Sequence, residues 1–257
     1  MAAVRRDIIP VLTDDDLVLW LYRGQSDRLV LCFSGIGKRA DAPPTYEFAE
    51  IATGGGEDSV LYISDPRRSW LNADGLIEKI AHHVDRIRSE LGAHRLVTLG
   101  HSMGGFSAMA LAAKLGAQSA VAFAPQVSVH PDIVGDDHRW MEWRAQIKTF
   151  RVRSVDEMLA DGPTYHVFHG LHGREAPQRD RVPFRDNLIH TILPRTHHNV
   201  STRLKNAGLL ADVVASGFDN KRRRLRQMLK PLNGFHRVAD NGVMLPPSAQ
   251  IEQVEAS

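Results

Sequence analysis

The segment from Leu96 to Leu115 constrains the fold more than any other part of the chain. Leu96-Val97-Thr98-Leu99 is an apolar, β-type run, Gly100-His101-Ser102-Met103-Gly104 is a Gly-x-Ser-x-Gly turn, and Phe106 to Leu115 read as a helix rich in small residues. A strand that turns directly into a helix brings two backbones into close approach, so glycine is needed wherever a Cβ would collide. The serine at such a bend is held in a strained backbone conformation, with its hydroxyl projecting from the turn. Residues 96–113 carry no Asp, Glu, Lys or Arg, a length that could also suit a membrane span. The glycines, serines and histidine inside the segment argue instead for a buried strand and helix, with no stable membrane insertion.

The rest of the sequence supplies a sheet for that bend to sit in. Short apolar runs alternate with helical patterns, the signature of a mostly parallel sheet covered by helices on both faces, an α/β fold. Ile8–Leu12 and Leu17–Tyr22 read as opening strands that could pair antiparallel, followed by Leu29–Phe33 and Ser59–Ile63. Leu76, Ile77, Ile80, Ala81, Val84, Ile87 and Leu91 have helical spacing. Ala120–Ala124, Tyr165–Phe168 and Ile189–Leu193 are further strands, the last of them expected to end the sheet, and Leu204 to Val214 suggest a closing helix that Gly217 would terminate.

With 257 residues and neither an internal repeat nor a Pro/Ser-rich linker, the expectation is one domain over residues 1–257. The segment 128–163 is long for a plain connection and is expected as a short cap insertion, in which Trp140, Trp143 and Ile147 at i, i+3 and i+7 either cover a site or pack on the sheet edge. Residues 241–257, with Pro246 and Pro247, are expected to be poorly ordered or laid along the surface. A net charge of +2 is too small to imply a nucleic-acid partner. No apolar run of signal-peptide length follows Arg5-Arg6, so a cytoplasmic protein is expected. The single cysteine, Cys32, lies in an apolar strand and reads as a core residue.

Strand, Gly-x-Ser-x-Gly turn and helix together are the context of a nucleophile elbow. Ser102 then needs an imidazole base and an acid that orients it, in chain order serine, acid, histidine. His197 and His198 follow the expected last strand; His198, within His198-Asn199-Val200, is favoured as base and His197 is the competitor. Candidate acids after Phe168 are Glu175, Asp180 and Asp186, with Asp132 as a further route. Asp180 is favoured because Arg181 to Asn187 could form a short helix with Asp180 at its start. Oxyanion donors are expected from the backbone amides of Met103, at a helix N-terminus, and Ile36, in the turn Ser34-Gly35-Ile36-Gly37.

These residues resemble the α/β-hydrolase superfamily, most specifically through Gly100-His101-Ser102-Met103-Gly104-Gly105 and the late His198-Asn199-Val200. Ala122-Phe123-Ala124-Pro125-Gln126 and His138-Arg139-Trp140 are similar to bacterial hydrolases associated with surface-polysaccharide systems. The resemblance implies an α/β-hydrolase fold, with Ser102 as nucleophile, His198 as base, Asp180 as acid, and Ile36 and Met103 as oxyanion donors. Two departures stand out: Ser34-Gly35 replaces the His-Gly pair of the oxyanion loop, and the acid loop lacks the common Gly-x-x-Asp spacing.

The reaction expected is cleavage of a carboxylic ester through an acyl-enzyme, on a small-molecule or glycan ester, with no cofactor and no metal. Acyl transfer to or from a glycan and a catalytically silent binding scaffold are the alternatives. His101, Trp70 and Trp140 are candidate substrate contacts, and Arg67 or Arg68 could meet an anionic group; Trp70 packed on the core, with Asp65 tied to local backbone, is the competing reading. His166, His169 and His172 straddle a strand and its loop, so their side chains diverge and a metal site is not expected. The run Lys221 to Arg226 reads as a solvated helix face, with nucleic acid or anionic lipid as the lesser alternative.

Overall fold

The structure is a computed structural model that describes residues 7–37, 39 and 41–237; the expectation for the tail 241–257 lies outside these. Among the described residues, nine strands form one sheet in the order β1-β2-β4-β3-β5-β6-β7-β8-β9. The strands are β1 Ile9–Thr13, β2 Val18–Tyr22, β3 Arg28–Phe33, β4 Ser59–Ser64, β5 Arg95–His101, β6 Ser119–Phe123, β7 Thr164–Gly170, β8 Leu188–Leu193 and β9 Phe235–His236. β1 and β2 form the antiparallel opening pair, β2 joins β4 antiparallel, and the block from β4 to β8 is parallel throughout. β3, β4, β6 and β7 are buried almost end to end, as central strands covered on both faces must be.

Two apolar clusters, one on each face, hold the helices to the sheet. One gathers α1 (Leu76–Leu91) through Leu76, Ile80, Val84 and Ile87, and α2 (Met103–Ala112), against Leu29, Leu31, Leu61 and Leu96. α2 is apolar all round and every one of its residues is buried, the pattern of a helix enclosed by protein rather than by lipid. The other cluster packs later helices against Val30, Val97, Leu99 and Val121. Among the described residues no helix is long and apolar enough to cross a membrane.

The insertion 128–163 carries two one-turn helices, α3 (Pro131–Val134) and α4 (Met141–Arg144), and a 3₁₀ turn, Val155–Glu157. Trp140 is therefore the left-handed residue that opens α4, at φ 57°, and not part of a longer amphipathic helix through Ile147. After β7 comes α5 (Ala176–Arg179), and the expected helix over Arg181 to Asn187 is absent: those residues are irregular, with turns at Arg181 and at Asp186-Asn187. The expected closing helix is two, α6 (Val200–Asn206) and α7 (Leu210–Phe218), because Gly208 at φ 70° breaks the run. Gly217 does not end α7 but lies inside it, where a Cβ would meet the Val121 side chain at 2.5 Å. α8 (Arg222–Leu229) follows, and β9 pairs antiparallel beyond β8, so β8 is not the sheet's edge.

Candidate active site

The bend is built by close approach. A Cβ on Gly100 would lie 2.1 Å from the Gly104 carbonyl oxygen, and one on Gly104 would lie 2.1 Å from that of Phe33. Only glycine lets β5, α2 and the end of β3 meet there. Ser102 takes φ 59°, ψ −122°, a conformation that costs a residue with a Cβ on the order of 1–3 kcal/mol. It is fixed by its N–H donating to the Phe123 carbonyl at 2.9 Å and by its own carbonyl accepting from Phe106 N–H at 3.0 Å. Its side chain thus stands at the carboxyl ends of the parallel strands, yet the residue is only 4% exposed.

Three loops bring partners to that hydroxyl. His198, in the loop between β8 and α6, places Nε2 2.9 Å from Ser102 Oγ and Nδ1 3.1 Å from Glu175 Oε2. Glu175, in a 3₁₀ turn after β7, is buried, and its other oxygen accepts from Arg139 Nη1 at 2.6 Å. Burial pushes the Glu175 pKa up, but the hydrogen bond and charge of His198 and the charge of Arg139 outweigh it and hold the carboxyl at about 2. Arg139 comes from the insertion and also pairs with Asp137 at 2.9 Å. The third partner is Gln126, after β6, whose Nε2 lies 2.8 Å from Ser102 Oγ.

The carboxylate at His198 is thus Glu175 and not Asp180. Asp180 caps the C-terminal end of α5, not the start of a helix, and its half-exposed carboxyl is bound at 2.7 Å by its neighbour Arg179. Of the remaining acids, Asp132 lies opposite Arg153 at 3.4 Å. His197 points away from Ser102, stacking on His172 with ring centroids 3.8 Å apart.

The expected oxyanion donors border the same bend. Met103 opens α2, so its N–H has no intrahelical carbonyl to bind. The loop holding Ile36 lies against the elbow, since a Cβ on Gly35 would sit 3.2 Å from the His101 carbonyl oxygen. Arg68 fixes that loop from behind, donating to the carbonyls of Ile36 (2.8 Å), Arg39 (2.7 Å) and Ala42 (2.7 Å) while its guanidinium covers the Trp143 ring. Arg68 is therefore buried and occupied instead of meeting an anionic group, and Arg67 pairs with Asp16 at 2.6 Å. Glu47 lies under the same loop, accepting from Gly35 N–H; burial pushes its carboxyl up to about 7 against that bond.

The three expected substrate contacts divide. Trp70 is fully buried and cannot face a substrate; its indole N–H donates to Gln126 Oε1 at 3.1 Å. His101 is engaged by the His198 carbonyl at 2.9 Å, and burial lowers its pKa to about 4. Trp140 is half-buried against His198, ring centroids 5.6 Å apart, with Arg139 over its face. Among the described residues no group of three His, Cys, Asp or Glu gathers as metal ligation would require. Gln126 and Arg139 carried no signal of chemistry in the sequence beyond lying inside the two segments of the polysaccharide-system resemblance.

Residues 55–171, which include the whole bend, match the serine aminopeptidase S33 family. The chain has the α/β-hydrolase fold. Its fold is shared with the capsule O-acetyltransferase of Neisseria meningitidis serogroup A, at TM-score 0.54 and 12% identity over 84% of this chain and 94% of that one. A putative esterase from Staphylococcus aureus aligns at TM-score 0.52 and 14% identity, over 79% of this chain and 80% of that one. The Pyrococcus furiosus esterase Pf2001 aligns at 0.50 and 15%, over 88% and 91%. At such identities the likeness is one of fold. No curated protein matches the chain by sequence.

Proposed function

We propose that this protein is a serine hydrolase that cleaves a carboxylic ester through an acyl-enzyme, with Ser102 as nucleophile, His198 as general base and Glu175 as the acid that orients it. The observation that carries this reading is the unbroken contact from Ser102 Oγ through His198 to buried, ionised Glu175. As Oγ bonds to the ester carbon, its proton passes to His198 Nε2 and the carbonyl π pair moves to oxygen, where the Met103 and Ile36 amides receive the charge. Collapse of that adduct breaks the ester C–O bond, and the departing alkoxide takes the proton from His198. Water, deprotonated by His198, repeats the sequence on the acyl-enzyme. The cap of residues 128–163 takes part directly, since it supplies Arg139 and Trp140.

A second acceptor is favoured by one feature: Ser102 is almost wholly enclosed, and a site that restricts water suits transfer of the acyl group to a bound hydroxyl, such as that of a glycan. The capsule O-acetyltransferase with the same fold is in keeping with that reading. The test is reaction of the folded protein with a fluorophosphonate, mapped by mass spectrometry, followed by a panel of acetyl to dodecanoyl esters with and without added glycans. An adduct on Ser102 and turnover abolished in S102A are expected. A folded protein that takes no adduct overturns the reading in favour of a binding scaffold.

A further inference from the structure

We propose that Gln126 is a catalytic residue, a fixed donor that directs the Ser102 proton to His198; this rests on Ser102 being the nucleophile. Trp70 Nε1 and Arg139 carry only donors, and they close the two ends of one hydrogen-bonded chain. At the first end, Trp70 N–H must donate to Gln126 Oε1 at 3.1 Å. That fixes the carboxamide orientation, so the Nε2 group faces Ser102 Oγ at 2.8 Å and can only donate to it. The Oγ lone pair on that side is then occupied, and the hydroxyl proton is left to His198 Nε2 at 2.9 Å. At the other end, Arg139 holds Glu175 ionised, so Glu175 must accept the Nδ1 proton of His198, leaving Nε2 bare to receive.

Every donor and acceptor in the chain from Trp70 to Arg139 is therefore set before substrate arrives, which is the preorganisation that oriented catalysis needs. The surrounding structure is built to hold this carboxamide still. Gln126 is fully buried. The preceding Pro125 carbonyl accepts from His169, and the following Val127 N–H donates to Gln178 Oε1 at 2.8 Å. Trp70 is itself fixed in a left-handed conformation, φ 49°, between Arg68 at 51° and Leu71 at 64°. Asp65 anchors that strained turn by accepting from Arg67 N–H, Ser69 N–H and the Ser69 hydroxyl. Strain at three residues of one turn, retained to aim one indole N–H, is what a positioning role for Trp70 requires.

The experiment compares fluorophosphonate labelling rate and ester kcat in wild type, Q126L, Q126E and W70F, each checked for an unchanged circular dichroism spectrum and melting temperature. Q126L should lose on the order of 10²-fold in both with KM little changed, and W70F a smaller factor. In Q126E the carboxylate would compete with His198 for the serine proton, and only its protonated form can donate. Its activity relative to wild type should therefore rise as pH falls, a readout that mere packing would not move. Where a variant fails to fold, the wild-type protein carries the test: the Gln126 side-chain NH₂ resonances should shift when the Ser102 phosphonate adduct forms. Equal labelling of Q126L and wild type, a pH-independent Q126E ratio, or unmoved NH₂ resonances would overturn the role of Gln126 alone. A wild-type protein that takes no label would instead remove the nucleophile and this role together.

Discussion

At the scale of single residues, the site is decided by what each carboxylate can reach. Glu175 is buried against His198 and Arg139, whereas Asp180 is half-exposed and spends its charge on Arg179 next to it. Replacing Glu175 by Gln keeps the volume but puts an amide, which can donate, beside His198, and so allows the wrong imidazole tautomer. By analogy with the loss that follows amide replacement of a triad acid, E175Q should lower kcat by about 10³- to 10⁴-fold, while D180N should stay within about twofold of wild type. Steady-state kinetics on one chromogenic ester checks both; the reverse ranking would return the acid to Asp180. The sequence held Ser102 and His198 legibly, because a glycine-bounded bend and a histidine after a late strand are local patterns. For the acid it favoured Asp180 over Glu175, Asp186 and Asp132, whereas the carboxylate that meets His198 is Glu175, because the choice depends on where α5 ends. That end is set by three-dimensional packing, not by spacing.

At the scale of elements, β1 to β8 were readable to within a residue or two, since runs such as Leu29–Phe33 and Ala120–Ala124 are apolar on both faces, whereas the two-residue β9 was too short to show a pattern. The connections were not readable, because their partners are distant in the chain. Arg68 shows why: its guanidinium binds the carbonyls of Ile36, Arg39 and Ala42, some thirty positions earlier, so nothing near it in sequence marks it as the clamp of the loop that carries Ile36. The clamp depends on a planar fork that reaches several carbonyls at once, and lysine, with a single ammonium, cannot reproduce it. R68K should therefore loosen the loop that carries Ile36, lowering kcat by about tenfold, with a smaller effect on KM and a lowered melting temperature. Kinetics and thermal unfolding measured on the same preparation check this; unchanged kcat would mean the Ile36 amide needs no such support.

At the scale of the whole molecule, the sheet encloses histidines that cannot easily be charged. His169 donates from Nε2 to the Pro125 carbonyl and so accepts at Nδ1 from His190 Nε2–H at 3.0 Å; His190 Nδ1 is left without a hydrogen-bond partner among the described residues. Burial lowers the pKa of His101, His166 and His169 to about 4 and holds that of His190 well below its ordinary value. In the unfolded chain each returns to about 6.5. Between those values the unfolded state binds protons that the folded state refuses, so stability falls as pH falls through 6.5 toward 4, at about 1 kcal/mol per pH unit for each such histidine. Glu47 acts oppositely, because its carboxyl, raised to about 7, is protonated in the folded protein first and gains stability over the range 7 to 4.5. One such carboxyl offsets only part of what these four histidines contribute. Against a typical total stability of about 5–15 kcal/mol, that slope should weaken the fold noticeably between pH 6.5 and 4. Urea midpoints at pH 7, 6 and 5 should drop steadily, and a midpoint that does not change across this range would show that the buried imidazoles ionise as readily in the fold as outside it.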